Sequence, residues 1–349
     1  MPTQDAPRGA PLKPRRPATL RAIAEAAGSH PSTVSRVLNG TAQERRAAAS
    51  PELAERIRQI AEELDYRPNP HAASLRTQRS GLIGVLVPRL SDLVLAMVYE
   101  GIHAAAADIG LSTFVTNTDD LAERQRTAAE MMLARRVDGM IFGDAHLDSA
   151  FLTEFADRGV PFVLVNRWSG SFPAATCDDY LGGRLVAEHF LDRGFERAAV
   201  LAGPTFASTA RDRTAGFVDR YREEGIEVPG NRIVQAGLDV EEGHQGADEL
   251  LAHGPTPDAI FAVNDFAAIG AIGALRDHGI RAGEDLAVAG YHDTPLAAEL
   301  PIPLTSVRTP VKQMGKAAVD MLAQVMTGES PESVRLPPTL VIRASTNQS

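Results

Sequence analysis

Cysteine is almost absent from this chain, since Cys177 is the only one in 349 residues. A single cysteine excludes an intramolecular disulfide framework and any cysteine-rich metal site, which suits a reducing compartment. We interpret Cys177 as a small buried hydrophobe. Aromatic residues are also scarce, at 5%, whereas hydrophobic residues make up 44% of the chain. The sequence can therefore bury cores built mainly from aliphatic side chains, and its length predicts more than one domain.

Long apolar runs are missing as well. Nowhere do about 18 apolar residues follow one another, and residues 1–17 contain no apolar core of signal-peptide length. We therefore expect neither secretion nor membrane insertion, and we predict a cytoplasmic location.

The usual signatures of enzymes are a third absence. The sequence contains no Gly-x-Ser-x-Gly elbow, no phosphate-binding loop ending in Gly-Lys-Ser/Thr, no Gly-x-Gly-x-x-Gly and no pair of histidines at metal-ligand spacing. The histidines that are present are scattered along the chain. We therefore predict a protein that is not an enzyme and that needs neither a cofactor nor a metal.

Charge is unevenly distributed along the chain. The net charge is −10 at pH 7, yet residues 1–80 contain 13 Lys and Arg against 8 Asp and Glu. This end therefore carries +5 and the remainder carries −15. A basic N-terminal module on an acidic body is the asymmetry expected when only one end of a protein contacts DNA.

The first 80 residues divide by composition. Residues 1–17 alternate prolines with basic residues and are too poor in apolar residues to fold, so we expect a disordered basic arm. Residues 18–67 show three short apolar stripes at helical spacing, which predict three helices. The segment Gly40–Ser50, between the second and third stripes, is interpreted as a loop. Residues 68–80 contain prolines and basic residues and are predicted to be a hinge that folds conditionally.

From residue 81 onward, short apolar runs such as "LIGVLVP" and "VDGMIFG" alternate with helical segments. Buried strands separated by helices predict parallel sheets with helices on both faces. Two such series follow one another along the chain. The predicted fold class is therefore α/β, with two similar doubly wound lobes that follow the helical module in the sequence. In such folds ligands bind in loops after the carboxyl ends of the strands.

The stretch "IAEAAGSHPSTVSRVLNG", from Ile23 to Gly40, places a Gly-containing turn between two short helical patterns. A helix-turn-helix protein needs such a compact corner to project its second helix into the DNA major groove. On that helix Val34 and Val37 point inward. The outward positions are polar and comprise Ser32, Thr33, Ser35, Arg36 and Asn39. Arg36 is long enough for a bidentate contact to guanine, whereas a generic surface helix hairpin is the alternative interpretation.

The segments "TLRAIAEAAG", "PSTVSRVLNG" and "AEELDYRPNPHAASLR" resemble the DNA-binding headpiece and hinge of the LacI/GalR family. The resemblance continues through "STARDRTAGF", "AIFAVNDFAAIGAI" and "VAGYHDTPLA". It implies a transcriptional repressor that binds a pseudo-palindromic operator as a homodimer and takes a small-molecule effector between its lobes. The implied lobes comprise residues 81–177 with 308–336, and 178–307 with 337–349. The main alternative is a transporter's solute-binding protein, which the helical module and the missing signal peptide disfavour.

The resemblance also implies DNA-contacting residues. It assigns base-edge contacts to Ser32 and Arg36, and backbone contacts to Thr33, Ser35 and Asn39. Leu75 matches a leucine that wedges into a central base step from the minor groove. After the turn glycine the sequence departs from the family, and His30 there caps the helix, approaches a phosphate or simply faces solvent. In the long segment Gly40–Ser50, Arg45 and Arg46 either add phosphate contacts or are solvated.

The effector contacts implied by the resemblance lie in the lobes. They are Asp92, Asn166, Arg167, Arg213, Asn264 and His292. Here too the sequence departs from the sugar-binding pattern, because His292 stands where relatives normally keep an Asp that pairs two sugar hydroxyls. Because that carboxylate is lost while two arginines remain, we hypothesise that the effector is an acidic or phosphorylated metabolite, with a sugar or sugar derivative as the alternative. Trp168 is a candidate aromatic for this site.

Overall fold

The computed structural model of the chain describes residues 18–40, 42–66 and 79–347. The chain divides into two compact units, one ending at Ser80 and the other beginning at Gly81. The predicted arm at residues 1–17, most of the predicted hinge and its Leu75 lie outside the described residues. Within the described part of the chain, no helix is long and apolar enough to cross a membrane.

The N-terminal unit, hereafter the headpiece, is helical. Its helices are α1 Leu20–Ala27, α2 Pro31–Asn39, α3 Ala42–Ala48 and α4 Pro51–Glu63. Thr19 caps α1, and Ser50 caps α4 by accepting a hydrogen bond from the Leu53 amide. Ile23, Val34 and Ile57 are fully buried where three of the helices meet. Burying these aliphatic side chains fixes α2 against α1 and α4.

The prediction of a loop over Gly40–Ser50 is wrong, because most of this segment forms α3. The helix has the sequence AQERRAA, and Ala, Gln, Glu and Arg all have high helix propensity. It lacks the apolar stripe of an amphipathic helix, and for this reason hydrophobic periodicity did not reveal it. The headpiece therefore presents one more element on its surface than the apolar pattern predicts.

The C-terminal unit alternates strands and helices. Its strands are β1 Leu82–Val87, β2 Ser112–Asn117, β3 Gly139–Phe142, β4 Phe162–Val165, β5 Ala174–Cys177, β6 Ala198–Ala202, β7 Ile233–Gln235, β8 Ala259–Ala262, β9 Ala287–His292, β10 Thr305–Arg308, β11 Val334–Leu336 and β12 Thr339–Val341. Its helices are α5 Leu93–Asp108, α6 Ala122–Ala134, α7 Ala150–Asp157, α8 Asp179–Asp192, α9 Ser208–Glu223, α10 Val240–Ala252, α11 Asp265–Asp277, α12 Pro295–Glu299 and α13 Val311–Met326.

These strands form two sheets, one in each lobe. The first sheet has the order β11-β5-β4-β3-β1-β2 and the second has the order β12-β10-β9-β8-β6-β7. Every neighbouring pair in the two orders is parallel except β10 with β12, which is antiparallel. The chain leaves the first lobe after β5, returns after β10 to form α13 and β11, and crosses again to form β12.

Each sheet has an apolar layer on both faces. In β1, Val85 packs into one cluster with α5 and α13, whereas Leu86 packs into another with α6 and α7. In β8, Ile260 and Phe261 divide between two clusters in the same way. Successive side chains of a strand point to opposite faces, so a strand covered on both sides has to be apolar throughout. The doubly wound α/β architecture predicted from the sequence is thereby confirmed.

Candidate functional site

The exposed face of α2 carries two of the predicted DNA contacts. Ser32 and Arg36 are exposed and lie one helical turn apart, while Val34 and Val37 hold the opposite face in the core. Thr33 and Ser35 are partly buried at the flanks of this face. The helix therefore presents a hydroxyl and a guanidinium side by side to solvent.

His30 caps α2. Its Nδ1 lies 3.3 Å from the amide of Ser32, which donates to it, and 2.8 Å from the Ser32 hydroxyl. Pro31 follows at the first helical position, where its missing N–H is not needed. Of the interpretations considered for His30, the structure shows the helix cap, and the residue is exposed as well. The contact with His30 Nδ1 also orients the Ser32 hydroxyl.

Asn39 ends α2 and is tied to the headpiece interior. Its amide Nδ2 donates to the hydroxyl of Tyr66 at 3.5 Å, and Tyr66 packs against the buried core cluster. Asn39 is partly buried rather than exposed like Arg36. Its side chain is therefore engaged within the headpiece, and its contact with a DNA backbone stays a prediction.

A cavity of about 630 Å³ lies between the two lobes. Residues from both lobes line it: Pro88, Arg89, Ser91, Asp92, Leu95, Asp120 and Arg167 from the first, and Pro204, Phe206, Gln235, Gly237, Leu238, Asp239, Val240, Glu241, Glu242 and Phe266 from the second. Most of these residues follow the carboxyl ends of parallel strands, as expected for ligand sites in open α/β folds. Its size is that of a pocket for a small molecule.

Arg167 lies in the wall of the first lobe with its side chain 3% exposed. Its two terminal nitrogens donate to Asp120 at 2.6 and 3.0 Å, which is a bidentate ion pair. The third nitrogen, Nε, is buried and has no hydrogen-bond partner. The guanidinium is therefore held rigidly and is largely neutralised by its partner.

Asp92 also lines the cavity from the first lobe, where it caps α5. Its Oδ1 accepts from the Val94 amide at 2.9 Å. Burial raises the pKa of Asp92, and this is only partly offset by the backbone amides of Val94 and Leu95 and by the positive charge of Arg167. Asp92 and Arg167 are the two predicted effector contacts that line the cavity.

Arg213 belongs to a buried polar network in the second lobe. Its Nε donates to Asp179 at 2.7 Å, and one terminal nitrogen donates to the Val263 carbonyl at 2.7 Å. The same nitrogen lies 3.0 Å from Nε2 of His292, whose Nδ1 lies 3.1 Å from the Thr309 hydroxyl. Burial and the neighbouring Arg213 hold the pKa of His292 well below its usual value. His292 is therefore neutral and accepts a hydrogen bond from Arg213.

Asn264 and Asn166 have local structural roles. Asn264 caps α11 through its Oδ1, which accepts from the Ala267 amide at 2.7 Å, while its Nδ2 donates to the Leu238 carbonyl at 2.7 Å. Because Leu238 lines the cavity, Asn264 positions part of its wall. Asn166 follows β4 with φ 66°, a left-handed conformation that Asn tolerates. The structure does not bring Asn166, Arg213, Asn264 or His292 into the cavity lining.

Known protein families and curated proteins resemble this chain over most of its length. Residues 19–69 match the bacterial regulatory proteins of the lacI family, and residues 187–346 match a periplasmic binding protein-like domain. The HTH-type transcriptional regulator DegA of Bacillus subtilis (strain 168) is 30% identical over 94% of this chain and 98% of its own. The chain belongs to the LacI family. This LacI-family protein is thus a DNA-binding transcriptional regulator, and its relatives are regulators rather than enzymes.

Solved structures of LacI-family proteins agree with this assignment. The Lac repressor dimer bound to operator and the anti-inducer ONPF has a TM-score of 0.86 and 30% identity, covering 95% of this chain and 99% of its own. The complex of the transcriptional regulator CelR with cellobiose has a TM-score of 0.71 and 27% identity, covering 94% of this chain and 99% of the CelR chain. The helix-turn-helix headpiece and two-lobed body of the LacI family are therefore confirmed for this chain.

Several residues of this LacI-family cavity were not predicted from the sequence. Asp120 follows β2, and its place at a strand carboxyl end is the sequence signal that could have found it. Phe206 and Phe266 supply the aromatic walls. Trp168, the predicted aromatic, lies outside the lining and donates from its indole nitrogen to Asp212 of α9 at 2.8 Å.

The charge of the cavity argues against the anionic effector that the sequence suggested for this LacI-family regulator. Five lining residues are carboxylates, namely Asp92, Asp120, Asp239, Glu241 and Glu242, against the guanidiniums of Arg89 and Arg167. Arg167 pairs with Asp120, and Arg89 lies 3.8 Å from Asp239. Arg213, the other arginine of that hypothesis, pairs with Asp179. The remaining charge is negative, and an anion would be repelled by it.

Asp265, which precedes the cavity-lining Phe266 at the start of α11, is a buried carboxylate. It is 1% exposed and accepts from the Ser306 hydroxyl at 2.5 Å and the Thr294 amide at 2.7 Å. Burial raises the pKa of Asp265 to about 6, against these hydrogen bonds. The native state therefore binds a proton at a pH where the unfolded chain has released it.

A pH dependence of stability follows from Asp265. Because the pKa of Asp265 is higher in the folded state, proton binding at Asp265 stabilises the folded protein. This stabilisation is complete below about pH 4 and is lost as pH rises through about 6. Its total is at most about 3 kcal/mol. Calorimetry of the wild type and Asp265→Asn from pH 4.5 to 7.5 measures this contribution. We expect the melting temperature of the variant to rise relative to that of the wild type as pH increases. Parallel profiles would show that Asp265 ionises in the folded protein at its usual pKa.

Proposed function

We propose that this chain is a repressor that binds a pseudo-palindromic operator as a homodimer, with α2 in the major groove and its DNA affinity set by an effector in the interlobe cavity. The exposed pair Ser32 and Arg36 on a helix anchored by Val34 and Val37 is the observation that carries this proposal. A guanidinium reaches the O6 and N7 of guanine with two hydrogen bonds, and a hydroxyl serves either base or phosphate.

The remaining DNA contacts of the proposal come from the family resemblance. Thr33, Ser35 and Asn39 bind phosphates beside the bases read by Arg36, and Leu75 is the minor-groove wedge. Two headpieces on symmetric DNA require two chains, and the related Lac repressor was solved as a dimer on its operator. Because the operator lies in the bacterial chromosome, the proposal includes a cytoplasmic location.

The proposed effector is an uncharged, hydroxyl-rich molecule such as a sugar or sugar derivative. Asp92 and Arg167 both line the cavity and offer acceptors and donors for hydroxyl groups. Phe206, Phe266 and Leu238 offer apolar surface for the faces of a sugar ring. In this proposal Asn166, Arg213, Asn264 and His292 form the supporting layer of the site. The related regulator CelR was solved with cellobiose, which is a neutral sugar.

Effector binding is proposed to act on DNA affinity by shifting the arrangement of the two lobes. The cavity is lined from both lobes, so a ligand that fits one arrangement better stabilises that arrangement. Coupling of this kind is typically about 1–3 kcal/mol and is reciprocal, so operator DNA changes effector affinity by the same factor. Selection from a random duplex library tests the DNA-binding half: enrichment of a two-fold symmetric sequence supports it, and enrichment of none contradicts it.

A ligand panel tests the effector half by melting temperature. Neutral sugars and their phosphorylated or acidic counterparts are compared at matched concentration, and a ligand at 100 times its Kd stabilises the folded state by about 2.7 kcal/mol. We expect stabilisation by a neutral sugar and a smaller shift from its phosphate, because the cavity is acidic. The matched variant Asp120→Asn, which removes the carboxylate paired with Arg167, should reduce this discrimination. A larger shift from the phosphorylated ligand on the wild type would overturn the assignment.

A further inference from the structure

The arginines of the headpiece fall into two groups. Arg21 pairs with Glu25 on α1, and Arg58 pairs with Glu55 on α4. Within residues 18–40 and 42–66, no ion pair joins the remaining exposed arginines to another described residue. These are Arg36, Arg45, Arg46 and Arg56. Three of the four lie on the consecutive helices α2 and α3, so the arginines without an ion-pair partner among the described headpiece residues are concentrated there.

The position of α3 is fixed by a tight connection to α2. The amide of Gly40 donates to the Arg36 carbonyl at 3.0 Å, which closes the end of α2. A Cβ at Gly40 would lie 2.4 Å from that carbonyl oxygen and 3.1 Å from the Cβ of Glu44, so only glycine fits this approach. Ala48, at the far end of α3, packs against the buried core of the headpiece. α3 is therefore held against the end of the helix that carries Arg36.

Folding of the headpiece makes little use of the side chains of α3. Gln43, Glu44, Arg45, Arg46 and Ala47 are all exposed, and the apolar contact of the helix comes from Ala48 at its end. Two adjacent exposed guanidiniums repel each other weakly and bring no stability of their own. They gain a strong interaction only when an anionic partner lies along that surface. A duplex whose base edges contact α2 brings its phosphates to the flanks of the same helix.

We infer that α3 is a second DNA-contacting element, in which Arg45 and Arg46 bind backbone phosphates next to the bases contacted by α2. This inference rests on the proposed function, since it requires α2 to lie in the major groove. The contacts add affinity and fix the orientation of the headpiece, but they carry no sequence information. α3 thereby strengthens specific and non-specific binding alike.

Salt dependence of binding tests this inference in the full-length protein. Operator affinity of the wild type and of Arg45→Gln/Arg46→Gln is measured by fluorescence anisotropy between about 50 and 200 mM salt, with the duplex selected by the wild type as the probe. Each phosphate contact contributes about 0.9 to the slope of log affinity against log salt, so the slope should weaken by about 1.8 per headpiece and 3.6 per dimer. The ratio of operator affinity to scrambled-duplex affinity should stay unchanged.

Two matched variants separate charge from structure. Arg56→Gln removes an equally exposed and unpaired arginine from α4, and its slope should equal that of the wild type. Arg45→Lys/Arg46→Lys keeps both charges and should keep most of the slope. An unaltered slope in the glutamine variant, with a headpiece that melts normally, would overturn the inference while leaving the role of α2 intact. If the wild type selects no operator, the proposed function fails, and the role of α3 fails with it.

Discussion

Replacing Arg36 by alanine is expected to lower operator affinity about 5- to 150-fold for each half-site, which is the 1–3 kcal/mol carried by a bidentate contact to guanine. The Arg36 side chain is exposed on α2 and forms no ion pair within the described headpiece, so its removal leaves the headpiece core of Val34 and Val37 intact. Sequence selection with the variant should show relaxed preference at one position in each half-site. Affinity for a scrambled duplex should fall much less, because a base contact exists only at the right base pair.

Two results would separate base recognition from simple charge. Arg21→Ala is the control, because Arg21 is an exposed arginine of the same headpiece but lies on α1 in an ion pair with Glu25. We expect it to leave operator affinity and sequence preference nearly unchanged. If Arg36→Ala lowered operator and scrambled-duplex affinity by the same factor, Arg36 would be a phosphate contact and another residue of α2 would read the bases.

The fold was predictable because its strands are covered on both faces. A strand such as β1, "LIGVLV", has to be apolar at every position, and this pattern is visible in one sequence without any partner. The headpiece was predictable in the same way from the stripes that bury Ile23, Val34 and Ile57. α3 was not, because its stability comes from helix propensity and a tight glycine connection rather than from a buried stripe.

The site was predictable only in part, because ion pairs are set by tertiary structure. The family resemblance assigned Asp92 and Arg167, which line the cavity. It could not show that Arg167 is neutralised by Asp120, 47 residues earlier, or that Arg213 is held by Asp179, 34 residues earlier. The loss of the family's Asp at His292, with two arginines retained, therefore suggested an anion site. The paired geometry yields an acidic cavity instead, and the expected ligand class changes with it.

Removing the carboxylate of Asp179 is expected to lower the free energy of unfolding of the C-terminal unit by about 3–5 kcal/mol, because it leaves the Arg213 guanidinium buried without its counter-charge. The two side chains are 5% and 3% exposed, so solvent cannot replace the lost partner. For a domain of this size each kcal/mol corresponds to about 2–4 °C, so Asp179→Asn should melt roughly 10 °C lower. Asp192→Asn is the control, since Asp192 is an exposed residue of the same helix α8 and should change stability by less than about 1 kcal/mol.

A double variant decides whether buried charge is the cause. Burial raises the pKa of Asp179, against the attraction of Arg213, so desolvation of the carboxylate opposes the gain from the ion pair. Such a pair stabilises the fold little in total, so Asp179→Leu/Arg213→Met should recover most of the stability lost in Asp179→Asn. Equal losses in both variants would mean that the hydrogen bonds of Arg213 to Val263 and His292, rather than its charge balance, hold this wall in place. In that case the double variant should also lose the sugar-induced shift in melting temperature, because Arg213 and His292 belong to the proposed supporting layer of the effector site.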